Sequence, residues 1–104
     1  MSHRNKKQEK KIARQRIHRL FNMAEQAALN KKIDRANRYV EIARKLSMRH
    51  LVKIPRKYKR RFCKHCYHYL LPGVTCRIRI HKGKVVFYCY NCKKFFRIPL
   101  NPKK

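Results

Sequence analysis

The residues best equipped for chemistry are cysteines. Four of the five fall in two matched pairs, Cys63-Lys64-His65-Cys66 and Cys89-Tyr90-Asn91-Cys92. A two-residue gap lets both thiolates of a pair face one ion, and zinc prefers four such ligands in a tetrahedron with Zn–S near 2.3 Å. The pairs stand 22 residues apart, slightly beyond the usual spacing but enough for a turn and a two-stranded hairpin. This is the layout of a zinc ribbon built on Cys63, Cys66, Cys89 and Cys92, holding one structural Zn2+. A redox dithiol or two disulfides would leave matched pairs flanking a hairpin unexplained. So short a module also needs a staple, and zinc supplies roughly 10–16 kcal/mol of apparent binding free energy. Four cysteines fill the tetrahedron, so His65 and His68 read as surface residues. Cys76, on the apolar side of its strand, reads as a small buried thiol.

The same saturation argues against catalysis by the protein, because catalytic zinc keeps an open coordination position. A magnesium-dependent nuclease site would want clustered carboxylates. Only four acids exist, Glu9, Glu25, Asp34 and Glu41, scattered along the first 41 residues. Against them stand 31 Lys and Arg, for a net charge of +27. Self-repulsion of that size calls for an outside counter-charge. A hydrophobic content of 43% with six Tyr and five Phe argues against simple disorder. Interleaved cations and aromatics suit nucleic acid, where phosphates are neutralised and bases stacked. The 63 residues after Glu41 carry 19 Lys and Arg and no acid, so the second half reads as the main phosphate-facing surface. No apolar run spans a membrane, no secretory core opens the chain, and the paired cysteines fit a reducing, cytoplasmic setting.

These elements must be positioned by a scaffold. Residues 1–7 read as a disordered basic arm. From Gln8 to Leu29, apolar residues at Ala13, Ile17, Leu20, Phe21, Ala24, Ala27 and Ala28 recur every three or four positions, which predicts a helix. A turn at residues 30–32 follows, and Asp34 is a candidate N-cap for a second helix with the stripe Ala36, Tyr39, Val40, Ala43 and Leu46. This αα-hairpin, residues 8–52, cannot close a core alone. Its stripe must meet either the rest of the chain or a partner. The segment 53–61, KIPRKYKRR, reads as a basic linker for phosphate contact. A zinc ribbon over 62–100 and a tail at 101–104 complete an α+β chain. Within the ribbon, Pro72-Gly73 marks a turn, and Val74 to Ile80 alternate as a half-buried strand with Arg77 and Arg79 on the open face. Residues 81–84 form a hairpin turn, and strands follow over 85–90 and 94–100.

The segments IARQRIHRLFNMAEQA, RANRYVEIARKLSMRH, IPRKYKRRFCKHC, YLLPGVTCRIRI and CYNCKKFFRIP, in that order over residues 12–99, resemble the archaeal ribonuclease P protein component 4 family, related to a zinc-bearing subunit of the eukaryotic nuclear enzyme. That family often carries glycine in or just after its cysteine pairs. Here Tyr67 and Lys93 stand in such places. The resemblance implies a non-catalytic subunit of an endonuclease in which the RNA, using Mg2+ that this protein does not bind, removes the 5′ leader from precursor tRNA. It implies a heterodimer with a second protein subunit, a small barrel, formed through the helices and bound to the specificity domain of the RNA. By position, Ile17, Leu20, Phe21, Ala24, Tyr39, Val40 and Ala43 are then the candidate protein-partner residues. Lys53, Arg56, Lys57, Lys59, Arg60, Arg61, Arg77 and Arg79 are the candidate RNA contacts. Another zinc-ribbon RNA binder such as a ribosomal protein is the nearest alternative. A duplex-DNA zinc ribbon and a self-sufficient nuclease are the more distant ones.

Overall fold

A computed structural model describes residues 5–100. Residues 1–4 of the expected arm and the tail 101–104 lie outside the described residues. Helix α1 spans Lys6–Leu29 and so begins inside the expected arm. The reason is a capping box. The Asn5 side chain accepts from the Gln8 N–H at 2.8 Å, and the Gln8 side chain accepts from the Asn5 N–H. Helix α2 spans Ile33–His50, with Lys32 at the cap and no side-chain cap bond. Asp34 is therefore not the N-cap as expected. It lies in the first turn, where a carboxylate still favours the positive end of the helix dipole. The helix stops at Leu51, which takes a left-handed φ of 54° and donates its N–H to Ser47 O. The Ser47 hydroxyl donates to Val52 O at 2.5 Å and turns the chain back along the hairpin.

The two helices pack through small residues, with Ala13, Ala24, Ala36 and Ala43 buried between Ile17, Phe21 and Val40. The segment read as a linker closes this core. Val52, Ile54, Tyr58 and Phe62 all enter it, and a single turn of helix, α3 at Arg56–Lys59, carries Tyr58 inward. Tyr58 stacks on Phe21 with centroids 4.7 Å apart, and its hydroxyl pairs with His18 Nδ1. Residues 53–61 are thus a strap with a buried underside and a charged outer side.

Three antiparallel strands follow in the order β1 (Cys76–His81), β2 (Lys84–Cys89), β3 (Phe95–Pro99). The β1–β2 turn is only Lys82-Gly83, both at positive φ (50° and 73°), the two-residue geometry that matches strand twist and suits glycine. The register places Cys76 opposite Cys89 and Phe87 opposite both Ile78 and Phe96. Phe87 and Phe96 stack at 4.7 Å above a second core of Cys63, Leu70, Cys76 and Cys89. The expectation of a half-buried first strand fails beyond its start. Only Cys76 is buried in β1, while Ile78 and Ile80 are 39% and 70% exposed. Alternation put these residues on one face, but among the described residues no second layer covers the far end of that face.

Ribbon residues Phe62 and Tyr69 enter the helical core, and further contacts tie strap and ribbon to the helices. The Tyr69 N–H donates to Asn37 Oδ1 at 2.7 Å, Arg61 pairs with Glu25 at 2.6 Å, and the Arg44 guanidinium lies 3.3 Å over the Tyr67 ring.

Candidate metal centre and basic surface

The two cysteine pairs are the same turn built twice. In the first, the Cys63 N–H donates to His68 O and the Tyr67 N–H donates back to Cys63 O. In the second, the Cys89 N–H donates to Lys94 O and the Lys93 N–H donates back to Cys89 O. Both turns lie at the edge of the ribbon core, and strand pairing carries Cys89 to the first pair. The four Sγ atoms lie within 4.8 Å of one another, with Cys63–Cys92 and Cys66–Cys89 each at 3.6 Å. A tetrahedron with metal–sulfur bonds near 2.3 Å has edges of about 3.8 Å, whereas a disulfide brings sulfurs to about 2.05 Å. All five cysteines are free. The donor set and its spacing can hold a metal ion.

The electrostatics agree. Burial pushes the Cys89 thiol up to about 12 and raises Cys63 as well, against backbone N–H groups that lower both. Burial also raises Cys66, but there the Asn91 side chain, the His68 backbone and the thiols of Cys89 and Cys63 outweigh it and bring the group down to about 6. Crowded thiols cannot all ionise side by side, and a divalent cation reverses that balance. Cys76 stands apart from the cluster, fully buried. Burial, with the neighbouring Cys63 adding, lifts its thiol to about 11, which keeps it protonated. His65 is exposed, as expected. His68 is half-buried and hydrogen-bonded to Asn91 at 3.0 Å, so it supports the site from outside.

The cations expected at phosphates divide into groups. Lys53, Arg56, Lys57, Lys59 and Arg60 are exposed along the strap. Arg61 is half-buried and engaged with Glu25. Arg77 and Arg79 are exposed on β1, the sheet edge farthest from β3. At the β3 edge the strap forms a groove of about 460 Å³ with walls of Arg56, Lys59, Arg60 and Lys64 and a floor of Phe96, Ile98 and Pro99. Lys64 and Arg97, which also lines it, were absent from the sequence candidates. Lys64 sits inside a cysteine pair and Arg97 in a strand, and neither belongs to a charge run.

Five of the seven candidate partner residues lie in the chain's own core. Ile17, Phe21, Ala24, Val40 and Ala43 are fully buried in the chain's own core, because the strap occupies the face they share. Leu20 and Tyr39 remain at its partly open margin. Beside Tyr39, a shallow surface of Arg19, Met23, Gln26 and Arg35 stays uncovered.

The model of the RNAse P Rpr2/Rpp21/SNM1 subunit domain matches residues 16–93, from α1 through both cysteine pairs. The chain belongs to this family. Among relatives named ribonuclease P protein component 4, it is 46% identical over 91 residues to that of Methanoculleus marisnigri, covering 88% of this chain and 86% of the relative. It is 42% identical over 104 residues to that of Archaeoglobus fulgidus, covering 100% and 95%. Among solved structures, it is similar to a chain in a cryo-EM structure of archaeal ribonuclease P with mature tRNA, with a TM-score of 0.80, 39% identity, and coverage of 95% and 82%. It is also similar to a structure of Pfu Rpp21, with a TM-score of 0.59, 40% identity, and coverage of 82% and 96%.

Tyr67 and Lys93 hold the matching turn positions at φ 64° and 59°, where a side chain costs about 1–2 kcal/mol. Tyr67 offsets this through the Arg44 guanidinium over its ring. Lys93 is exposed, and its backbone bond to Cys89 is one that glycine would keep.

Proposed function

We propose that this chain is a non-catalytic, RNA-binding protein subunit of ribonuclease P. In this reading it supports RNA-catalysed removal of the 5′ leader from precursor tRNA by binding the specificity domain of the RNA. The observation that carries it is the surface held by the four thiols. Strap and ribbon present Lys53, Arg56, Lys57, Lys59, Arg60, Arg77 and Arg79 to solvent, and no carboxylate side chain follows Glu41 to neutralise them. Such a surface lowers the mutual repulsion of RNA helices and docks on their phosphates by shape.

Cys63, Cys66, Cys89 and Cys92 would hold one Zn2+, which when bound supplies a structural cross-link with no open coordination position. The cluster joins the end of the strap to β2, so the charged groups keep a fixed spacing. A second protein subunit, a small barrel, would meet the helices through their open margin at Leu20, Met23 and Tyr39, since the central stripe is already used.

Reconstitution tests this reading. Adding the chain and its partner subunit to ribonuclease P RNA should raise cleavage of precursor tRNA at limiting Mg2+. Cleavage by the protein with no RNA subunit present would overturn it.

A further inference from the structure

The sheet face turned away from the Phe87–Phe96 core has a composition of its own. Register pairs Arg77 with Tyr88, Tyr88 with Phe95, and Val86 with both Arg79 and Arg97. One face thus carries two aromatic rings at its centre and three arginines around them. The Tyr88 and Phe95 centroids lie 4.7 Å apart, and Tyr90 extends the row at 5.9 Å from Tyr88. The Arg77 guanidinium stands 5.4 Å over the Tyr88 ring. Phe95 and Tyr90 are open to solvent, 50% and 44% exposed, and Tyr88 between them is half-buried. On the other face, Phe87 and Phe96 are buried.

We propose that this face stacks unpaired RNA bases on Tyr88 and Phe95, while Arg77, Arg79 and Arg97 hold the flanking phosphates. The inference rests on the RNA-binding reading and adds a contact that phosphate neutralisation does not require. Charge complementarity selects the occupant. The face carries three guanidiniums, and all four acids of the chain lie on the helices. An apolar protein surface would leave those guanidiniums without partners. Paired RNA does not fit the rings, because its bases are already stacked on one another, whereas loop and bulge bases are free to leave the helix. Aromatic rings beside arginines accept any base through its π face, so the contact fixes position with little sequence preference.

The test compares a short oligoadenylate with an abasic strand of equal length, titrated into the full-length, metal-loaded chain. The two probes carry the same phosphates and differ only in bases. The wild-type protein should prefer oligoadenylate by about 5- to 150-fold, the range for losing a stacked base. A Tyr88→Leu/Phe95→Leu variant keeps apolar bulk on the strands but removes both π faces. It should lose that preference while its salt slope and metal content stay unchanged. Tyr88→Phe/Phe95→Tyr should keep the preference. Equal wild-type affinity for the two strands overturns the stacking and leaves the RNA-binding reading standing. So does a preference that survives in the leucine variant. An absence of salt-dependent binding to either strand overturns both readings.

Discussion

Replacing Tyr58 with alanine should destabilise the helical core without touching the RNA surface directly. The residue stands between Lys57 and Lys59, where a sequence reader would place a nucleic-acid contact, yet it is 2% exposed. Its ring lies parallel to Phe21, with planes 1° apart, and its hydroxyl meets His18 Nδ1. Truncating a buried aromatic of this size costs about 3–5 kcal/mol, against a total of about 5–15 kcal/mol for a natural domain. With a urea slope of about 2 kcal/mol per molar, the midpoint should fall by roughly 1.5–2.5 M. Tyr58→Phe retains the ring and should cost only about 1 kcal/mol, the worth of the lost hydrogen bond. Urea unfolding followed by helical circular dichroism, with RNA affinity measured in parallel, separates the cases. A Tyr58→Ala variant with an unchanged urea midpoint and weakened RNA binding would refute the strap.

Cys63→Ser should abolish stoichiometric metal binding and protease resistance of the ribbon. In the wild type, metal binding at pH 7 should release protons, because burial holds Cys63 and Cys89 protonated when no cation is present. Affinity should therefore rise with pH, and calorimetry in buffers of differing ionisation enthalpy measures the release. Arg60→Ala should lower the salt slope of RNA binding by about one. Arg61→Ala should act mainly through stability, by at most about 1 kcal/mol for a half-exposed ion pair, and an equal slope change in both variants would argue against this division. Lys93→Gly should be neutral to stabilising by about 1 kcal/mol, because it removes left-handed strain at an exposed turn. Tyr67→Gly should gain less than Lys93→Gly, since it also forfeits the stack beneath Arg44, and thermal unfolding reads both.

Two kinds of information were legible in the residues alone. Spacing in the cysteine pairs carried the four clustered thiols that could hold a metal ion, because each pair is a short turn. Helical periodicity and the strand alternation carried the elements and the grouping of residues by face, since backbone geometry alone sets which side chains share a side. What covers each face was not encoded locally. Ile17, Phe21 and Val40 read equally well as core or as partner surface, and only the return of the strap, turned back at Leu51 and anchored by Tyr58, decided for core. Ile78 and Ile80 had the alternation of a buried strand, yet among the described residues nothing covers their end of the sheet. Arg61 looked like its neighbour Arg60 until folding brought Glu25 beside it from a distant helix. The four thiols were evident from the sequence, but tertiary contacts decided which cations stay exposed and unpaired by an acid. Charge is a property of a residue, whereas exposure and pairing belong to whatever the fold sets beside it.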